Sequence, residues 1–285
     1  ADPAMPKKAL EERLEDMTPC IACLQGCVAN MYAGNPICCL TNPFLGHEAE
    51  PIAKTENPKK VMVIGGGVAG LCAAFIAKEK GHEVTLYEAG DVLGGNMRLA
   101  AYPPGKGDIT NMIRSYIHRC QKDGVKIVMN CEVTPELIKE EKPDSVIIAT
   151  GSKTLILPIE GIDNPAIIHG SDLLDGKRAA GKKVLVVGGG MVGCETAAFL
   201  GEQEHDVTVI EFRDTVGADV IHEHRVYLMK DFEDYGIKEI TGAKVCKFYE
   251  DGVEYETADG VRHESRGYDS VILSMGFRNY NPLEE

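Results

Sequence analysis

The sequence predicts an α/β fold in which one β-α-β unit occurs twice, about 120 residues apart. In each copy a short apolar run leads into the pattern G-x-G-x-x-G and then into a helix of small residues. An acidic residue follows at a matched distance, since Glu88 lies 21 residues after Gly67 and Glu211 lies 21 residues after Gly190. The glycines of the two patterns are Gly65, Gly67, Gly70, Gly188, Gly190 and Gly193.

This spacing is typical of Rossmann-like dinucleotide sites. The first glycine allows a tight turn, the second lets the backbone approach a pyrophosphate, and the third lets the helix pack closely on the sheet. The free N–H groups and the positive dipole end of the helix then hold the phosphates. We expect Glu88 and Glu211 to bind adenine ribose hydroxyls. One copy alone could be an ordinary glycine turn, whereas two copies with matched acids predict two bound dinucleotides.

The order of predicted elements agrees with this duplication. Gly81 ends the first helix, and Asp108 and Gly124 bound the next helix of the first half. In that half we predict strands at 61–64, 83–87, 125–129 and 145–149 and helices at about 68–80 and 108–124. In the second half we predict strands at 183–187 and 207–210, helices at about 191–203 and 220–235, an antiparallel meander over 243–264, and a strand at 270–274 that rejoins a parallel sheet. A charged helix is expected over residues 1–18.

A cysteine-rich segment precedes both units. Residues 18–47 show little periodicity and are expected to form irregular backbone organised by something other than a core. One compact cysteine triplet with a distant fourth cysteine is closer to iron–sulfur ligation than to zinc, which usually takes two paired C-x2-C elements. The spacing therefore favours a 4Fe–4S cluster; zinc, and unligated or disulfide-bonded cysteines, stay open. The expected ligands are Cys20, Cys23, Cys27 and Cys39, the last being preferred over the adjacent Cys38.

Composition excludes several partners. With 30 basic and 44 acidic side chains the net charge is −14, so no basic field attracts nucleic acid or an anionic membrane. No apolar stretch approaches the roughly 20 residues that span a bilayer, and no secretory signal is visible. Ten cysteines without a secreted-domain pattern indicate a reducing, cytoplasmic environment. A homo-oligomer is compatible with the sequence, which does not decide the oligomeric state.

Longer stretches around these motifs resemble the 2,4-dienoyl-CoA reductase and trimethylamine dehydrogenase group of Old Yellow Enzyme-type NADH:flavin oxidoreductases. Within them, the resemblance adds Gly94, Gly95 and Gly151 to the expected flavin-binding residues. The similar stretches are 20–27 and 39–43 in the cysteine segment, 57–70, Glu88, 94–97, 149–151 and 274–277 in the flavin half, and 188–211 in the nucleotide insert.

The resemblance implies an NAD(P)H domain inserted into an FAD domain. We therefore expect residues 1–56 to hold the end of a barrel and the 4Fe–4S segment, 57–158 with 270–285 to form an incomplete FAD domain, and 159–269 to bind the nicotinamide nucleotide. The FMN-binding barrel of such enzymes is missing here. Ala1-Asp2-Pro3 resembles its end, and the chain stops at Glu285 before the usual flavin-contacting Gly-Asp element. A fragment whose partner is the missing barrel portion is expected.

The implied function is the electron-input half of a flavoenzyme. Electrons would pass from NADH to FAD, to the cluster and to FMN in the absent barrel, for reduction of an activated C=C bond such as an enoyl-CoA or enone. The catalytic residues are unknown, because the resemblance places them in that barrel. The Glu211 carboxylate repels a 2′-phosphate and favours NADH, whereas nearby Arg213 leaves NADPH open.

Two alternatives remain at this stage. One is an amine dehydrogenase-type member whose nucleotide domain is structural, and the other is a non-catalytic electron-carrier or nucleotide-binding module. Flavin–disulfide chemistry is not expected, because the chain has neither a C-x4-C after the first β-α-β unit nor a C-x2-C in the nucleotide domain.

Overall fold

The computed structural model describes residues 2–50 and 52–284. The chain divides into two compact units, of which unit 1 comprises residues 1–101, 106–152 and 279–285, and unit 2 comprises 102–105 and 153–278. Ala1, where the expected barrel remnant begins, and the last residue, Glu285, lie outside the described residues, as does Pro51.

Unit 1 is built on a four-stranded parallel sheet. The strand order is β3-β2-β1-β4, so that the first β-α-β unit occupies the centre of the sheet. Two 3-10 turns, Leu14–Asp16 and Gly95–Ala101, accompany the regular elements. These elements are α1 (Met5–Leu10), α2 (Val28–Tyr32), β1 (Lys60–Ile64), α3 (Val68–Glu79), β2 (Glu83–Tyr87), α4 (Ile109–Lys122), β3 (Lys126–Val128), α5 (Pro135–Glu141) and β4 (Ser145–Ile148).

The core of unit 1 follows from the apolar pattern. Val63 of β1 and Leu86 of β2 are fully buried, and α3 covers them with Leu71 and Phe75. Gly81 ends α3 in the left-handed region, at φ +93°, where L side chains are rarely accommodated. From residue 60 onward, the predicted strands and helices of this unit are found within one to two residues of their expected ends.

The cysteine segment packs against the core of unit 1. Ile21 is buried in the same cluster as Leu71, and Phe44 packs against that cluster. The Tyr116 hydroxyl of α4 donates a hydrogen bond to the Leu40 carbonyl over 3.1 Å. The expectation of irregular backbone is met except in the short helix α2, but an apolar core does contribute to its organisation.

Residues 2–18 do not form the single helix that was expected. Helix α1 ends at Leu10, because Glu12 adopts a left-handed conformation with φ +55° that interrupts the helical backbone. The Leu10 side chain is 87% exposed. Further along, Asp16 ties the segment to α4 through an ion pair with Lys122 and a hydrogen bond with the His118 ring.

Unit 2 repeats the arrangement with a five-stranded parallel sheet of order β6-β13-β7-β8-β9 and a three-stranded antiparallel sheet of order β10-β11-β12. Strands β5 and β14 form a separate two-stranded sheet. The elements are β5 (Ser152–Thr154), β6 (Ile168–His169), α6 (Gly170–Leu174), β7 (Lys183–Val187), α7 (Met191–Glu202), β8 (Asp206–Ile210), α8 (His222–Asp234), β9 (Lys238–Ile240), β10 (Ala243–Tyr249), β11 (Gly252–Thr257), β12 (Arg262–Ser265), β13 (Ser270–Leu273) and β14 (Phe277–Asn279).

One expected boundary is corrected by the sheet topology. The strand at 270–273 is parallel, as predicted, but it pairs with β7 and β6 inside unit 2 and not with the first sheet. Val271 and Ile272 are fully buried there, because apolar residues cover both faces of the sheet. Assignment of 270–285 to the first domain is therefore wrong for 270–278, and only 279–285 return to unit 1.

Across residues 2–50 and 52–284, the helices are too short or too polar to cross a bilayer.

Candidate functional site

The first glycine turn joins β1 to α3 in a geometry that only glycine permits at two positions. Gly65 has φ +106°, and a Cβ there would lie 2.3 Å from the Ala149 carbonyl oxygen. A Cβ at Gly70 would lie 1.9 Å from the Gly65 carbonyl oxygen, so α3 presses directly on the turn. At Gly67, by contrast, a Cβ would meet nothing closer than the Gly95 Cα, at 3.9 Å. The turn therefore leaves open space at its second glycine.

Glu88 and the second glycine loop lie against this turn. The Glu88 carboxylate accepts hydrogen bonds from Gly66 N–H (2.6 Å) and Gly90 N–H (2.7 Å). Gly94 N–H donates to the Gly66 carbonyl over 2.8 Å. Gly94 and Gly95 both have positive φ, +111° and +55°. The structure thus brings together the fingerprint glycines, the acid and the Gly94-Gly95 loop at one edge of the first sheet.

Gly151 follows β4 at the end of the same sheet. Its φ of +74° lies in the left-handed region, and its carbonyl accepts a hydrogen bond from Tyr280 N–H over 3.0 Å. It sits next to the point where the chain leaves unit 1. Gly276, which has φ +100°, lies close to the point of return.

The second glycine turn, between β7 and α7, reproduces the first at its first and third glycines and at its acid. Gly188 has φ +105°, and a Cβ there would lie 2.4 Å from the Ser274 carbonyl oxygen. A Cβ at Gly193 would lie 1.8 Å from the Gly188 carbonyl oxygen. The Glu211 carboxylate accepts hydrogen bonds from Gly189 N–H (2.5 Å) and Arg213 N–H (2.8 Å). Each acid therefore accepts a hydrogen bond from the residue between the first and second fingerprint glycines of its own turn, Gly66 or Gly189.

A cleft of about 410 Å³ opens at the second turn, within the range of small-molecule sites. It lies at the carboxyl ends of the parallel strands, which is where α/β sheets bind ligands. Besides Gly188, Gly190 and Glu211, its lining includes Val187, Met191, Val192, Ile210, Phe212, Arg213, Asp219, Ala243, Val245, Ser274, Met275 and Gly276.

Two polar residues of this cleft were not predicted as site residues. The Asp219 carboxylate accepts a hydrogen bond from Met191 N–H over 2.9 Å, at the first residue of α7. Ser274 is 8% exposed, and within the described part of the chain its hydroxyl has no hydrogen-bond partner. Ser274 was noted only as part of a similar stretch. Nothing in the sequence around Asp219 shows that its loop returns to the start of α7.

The four expected cluster ligands lie on the irregular segment of unit 1. Cys20 and Cys27 are exposed, whereas Cys23 and Cys39 are half-buried, and all ten cysteines of the chain are outside disulfides. In residues 2–50 and 52–284, no group of three or more Cys, His, Asp or Glu side chains is arranged to hold a metal ion.

The donor set around these thiols nevertheless fits an iron–sulfur cluster. The Cys20 sulfur accepts a hydrogen bond from Ala22 N–H (3.4 Å), and the Cys39 sulfur lies 3.3 Å from the Thr41 hydroxyl oxygen. Backbone N–H groups also point at the Cys23 sulfur. Hydrogen bonds to the sulfurs are among the factors that tune such clusters. A polynuclear cluster also uses one thiolate per iron, so its ligands stand farther apart than those of a single ion.

The electrostatics of the segment show that its thiols are neighbours. Burial raises the pKa of Cys23, and the nearby Cys27 and Cys39 raise it further. Burial also opposes ionisation of Cys39, but hydrogen bonds from the Thr41 hydroxyl and from the backbone at Thr41 and Asn42 outweigh it, so that the pKa of Cys39 lies below its usual value. Cys38 is exposed, with its backbone held to Gly26 by a 2.7 Å hydrogen bond.

Comparison with known proteins identifies the family to which the chain belongs. A family model described as pyridine nucleotide-disulphide oxidoreductase matches residues 59–285, which is most of the chain. The chain belongs to this family of oxidoreductases. It therefore has the flavin and pyridine-nucleotide oxidoreductase fold, and the two Rossmann-like units seen here are those of the family.

Individual relatives are similar along almost the whole chain. Cinnamate reductase of Clostridium sporogenes is 33% identical over 99% of this chain and 43% of its own length. The structure of a 2-naphthoyl-CoA reductase complex superposes with a TM-score of 0.91 at 35% identity, over 97% of this chain and 42% of that one. Histamine dehydrogenase from Rhizobium sp. 4-9 has a TM-score of 0.87 at 22% identity, over 99% and 44%, which shows a shared fold. This chain spans less than half the length of these relatives.

Proposed function

We propose that this chain is the NADH-oxidising, electron-input half of an iron–sulfur flavoprotein that reduces an activated C=C bond. The observation that carries the proposal is the duplicated glycine turn, in which two turns of the same geometry are each closed by a carboxylate. A cysteine segment with sulfur-directed hydrogen bonds packs against the apolar core of the same unit as the first turn. Two nucleotide sites and a thiolate centre are what a chain needs to accept electron pairs and pass them on singly.

In this proposal the first turn binds FAD. The residues that would hold it are Gly65, Gly67, Gly70, Glu88, Gly94, Gly95 and Gly151. The open space at Gly67 admits the pyrophosphate to the backbone, and the backbone N–H groups at the N-terminus of α3 face it. Glu88 would exchange part of its hydrogen bonding with backbone N–H groups for the adenine ribose hydroxyls.

The second turn binds NADH through Gly188, Gly190, Gly193 and Glu211. The cleft of unit 2 is large enough for part of the coenzyme and ends at a carboxylate in the position expected to meet the adenine ribose. That carboxylate would repel the extra phosphate of NADPH, although Arg213 lies next to it in the cleft lining. We therefore propose NADH as the preferred coenzyme.

Cys20, Cys23, Cys27 and Cys39 would hold a 4Fe–4S cluster. When bound, the flavin accepts two electrons together and the cluster carries them one at a time, which is chemistry the protein chain itself does not supply. The protein's part is to hold the thiolates in place through the Ile21 and Tyr116 contacts and to supply N–H donors to the sulfurs.

The final substrate is proposed from the named relatives. Cinnamate reductase and 2-naphthoyl-CoA reductase act, by their names, on conjugated unsaturated acids or thioesters, so we propose an enone or enoyl-CoA substrate bound in an FMN barrel outside this chain. Ten cysteines outside disulfides support a reducing, cytoplasmic location.

The test is anaerobic reconstitution of the chain with FAD, iron and sulfide, followed by titration with NADH. Loss of the flavin absorbance band on adding NADH, with about four irons per chain, is the expected result. Gly190→Ala is the matched control, because it narrows only the second site and should leave FAD and iron content unchanged. A flavin-loaded sample that NADH does not bleach, or a chain that retains no iron, would contradict the proposal.

A second candidate is an amine dehydrogenase-type member whose second nucleotide site is structural. The observation that keeps it is the fold shared with histamine dehydrogenase. In that case ADP should bind to unit 2 while NADH leaves the flavin oxidised. The same titration therefore separates the two functions.

A further inference from the structure

The side-chain carboxylate of Asp219 lies at the N-terminus of α7, in the same unit. Asp219 lies on the loop between β8 and α8, and its Oδ1 accepts a hydrogen bond from Met191 N–H over 2.9 Å. A Cβ on Gly190 would be 3.3 Å from the Asp219 Oδ2. The carboxylate is thus in contact distance of the second fingerprint glycine, where the backbone of a dinucleotide site approaches the pyrophosphate.

The loop that carries Asp219 is fixed to the glycine turn. Gly217 N–H donates to the Gly189 carbonyl over 2.7 Å, and Gly217 itself has φ +62°. Its neighbour Val216 is fully buried in the core of unit 2. Asp219 itself is exposed, so the side chain can turn away into water without disturbing the core.

The first glycine turn provides an internal comparison. There the open space at Gly67 is bordered only by the Gly95 Cα at 3.9 Å. In the described part of the chain, no side chain accepts a hydrogen bond from Val68 N–H, the counterpart of Met191 N–H. Two turns that otherwise agree in φ, in their third glycine and in their acid therefore differ at the point where a pyrophosphate binds.

The wall of the cleft around Asp219 also holds a buried polar group. The Ser274 hydroxyl, buried in the lining of the same cleft, has no partner within residues 2–50 and 52–284. A buried hydroxyl without a partner is costly in a protein interior, and such groups call for a ligand or water.

We propose that Asp219 is a built-in competitor of the coenzyme pyrophosphate, which keeps the second site exchangeable while the first site retains its flavin. This inference rests on the proposed function, because it takes the second cleft to be the NADH site. An anionic side chain at a helix N-terminus is stabilised by the same N–H groups and dipole that attract a phosphate. The coenzyme must therefore displace Asp219, and the two negative groups cannot occupy the helix end together.

The test measures binding of NADH, ADP-ribose and adenosine to the full chain and to Asp219→Asn and Asp219→Ala by calorimetry. Asparagine can still accept the hydrogen bond from Met191 N–H but has no charge, so it preserves the fold if the alanine variant does not. Both variants should bind NADH and ADP-ribose about tenfold more tightly, the effect of one charge-assisted hydrogen bond at a helix end. Adenosine has no diphosphate, and its affinity should not change.

Asp214→Asn is the matched control, because it removes one negative charge from the same loop at a residue outside the cleft lining. It should leave all three affinities unchanged. Unchanged or weaker binding of ADP-ribose by Asp219→Asn would overturn the proposal while leaving the NADH site in place, as would equal tightening of adenosine. If neither the native chain nor the variants bind NADH or ADP-ribose, the proposed function fails and the role of Asp219 fails with it.

Discussion

The two kinds of fingerprint glycine should respond in opposite ways to alanine. In unit 2 a Cβ at Gly193 would lie 1.8 Å from the Gly188 carbonyl oxygen, whereas a Cβ at Gly190 would meet only the flexible Asp219 carboxylate at 3.3 Å. In unit 1 the corresponding distances are 1.9 Å at Gly70 and 3.9 Å at Gly67. The third glycine of each turn is thus required by the fold, and the second is required by the ligand.

The magnitude follows from the size of the overlap. For Gly193→Ala, helix α7 must move by roughly 1.5 Å before the new methyl group reaches an ordinary contact, which is overpacking at the upper end of its usual cost, about 3 kcal/mol. For a domain of this size, that is a loss of about 5–10 °C in Tm. Gly67→Ala adopts φ −70° without strain and should change the free energy of unfolding by less than about 0.5 kcal/mol.

The assay is thermal unfolding of the ligand-free chain, followed by flavin content after reconstitution. Gly67→Ala should unfold at the native temperature and lose flavin, and Gly193→Ala should unfold early. Equal Tm losses in the two variants would refute the geometric reasoning. Full flavin retention by Gly67→Ala would show that the pyrophosphate does not approach this glycine.

Three further outcomes follow from the charged and buried groups. Glu211→Ala removes the group that would repel a 2′-phosphate, so the ratio of the KM values for NADPH and NADH should fall about tenfold; an unchanged ratio would show that another residue selects the coenzyme. Burial raises the pKa of Cys194 to about 12, so at pH 8 roughly one Cys194 thiol in ten thousand is ionised. Alkylation of the native protein followed by mass spectrometry should therefore leave Cys194 unmodified while the exposed Cys38 reacts. Rapid labelling of Cys194 would contradict its burial. Hydrogen bonds from Lys122, and then from His118 and Arg13, hold the pKa of Asp16 well below its usual value. The contribution of Asp16 to stability is therefore complete above about pH 4 and is lost only as the pH falls further. At pH 7 Asp16→Asn should speed tryptic cleavage of the N-terminal segment, and unchanged cleavage would mean that these contacts do not hold the segment.

The sequence was sufficient for the parts of the fold that repeat a local rule. The strand–turn–helix at each fingerprint could be placed for two reasons. The backbone conformation at positions 65 and 188 requires glycine, and the apolar runs of β1 and β7 are best explained as buried strands. Strand β9 was missed, since two of its three residues are charged and the strand is defined only by its pairing with β8 at the edge of the sheet. Short edge strands of this kind are specified by their neighbours and not by their own pattern.

The misplaced strand and the unpredicted site residues have a common physical cause. The apolar run at β13 predicts a buried parallel strand equally well in either sheet, and only its register against Val184–Val187 assigns it to unit 2. Asp219 likewise acquires its role from a loop closure between Gly217 and Gly189, a contact between residues far apart in sequence. Local pattern identifies what an element is, whereas these long-range contacts determine where it goes.

The packing of the cysteine segment has a consequence for how the molecule can be divided. Ile21 lies in the same apolar cluster as the helix that follows the first glycine turn, and Tyr116 holds the backbone beside Cys39. Removing residues 2–50 would uncover that cluster, so a truncated version that starts after residue 51 should be less soluble and should melt earlier. Damage to the thiolate segment by oxygen would, by the same contacts, loosen the neighbouring nucleotide unit.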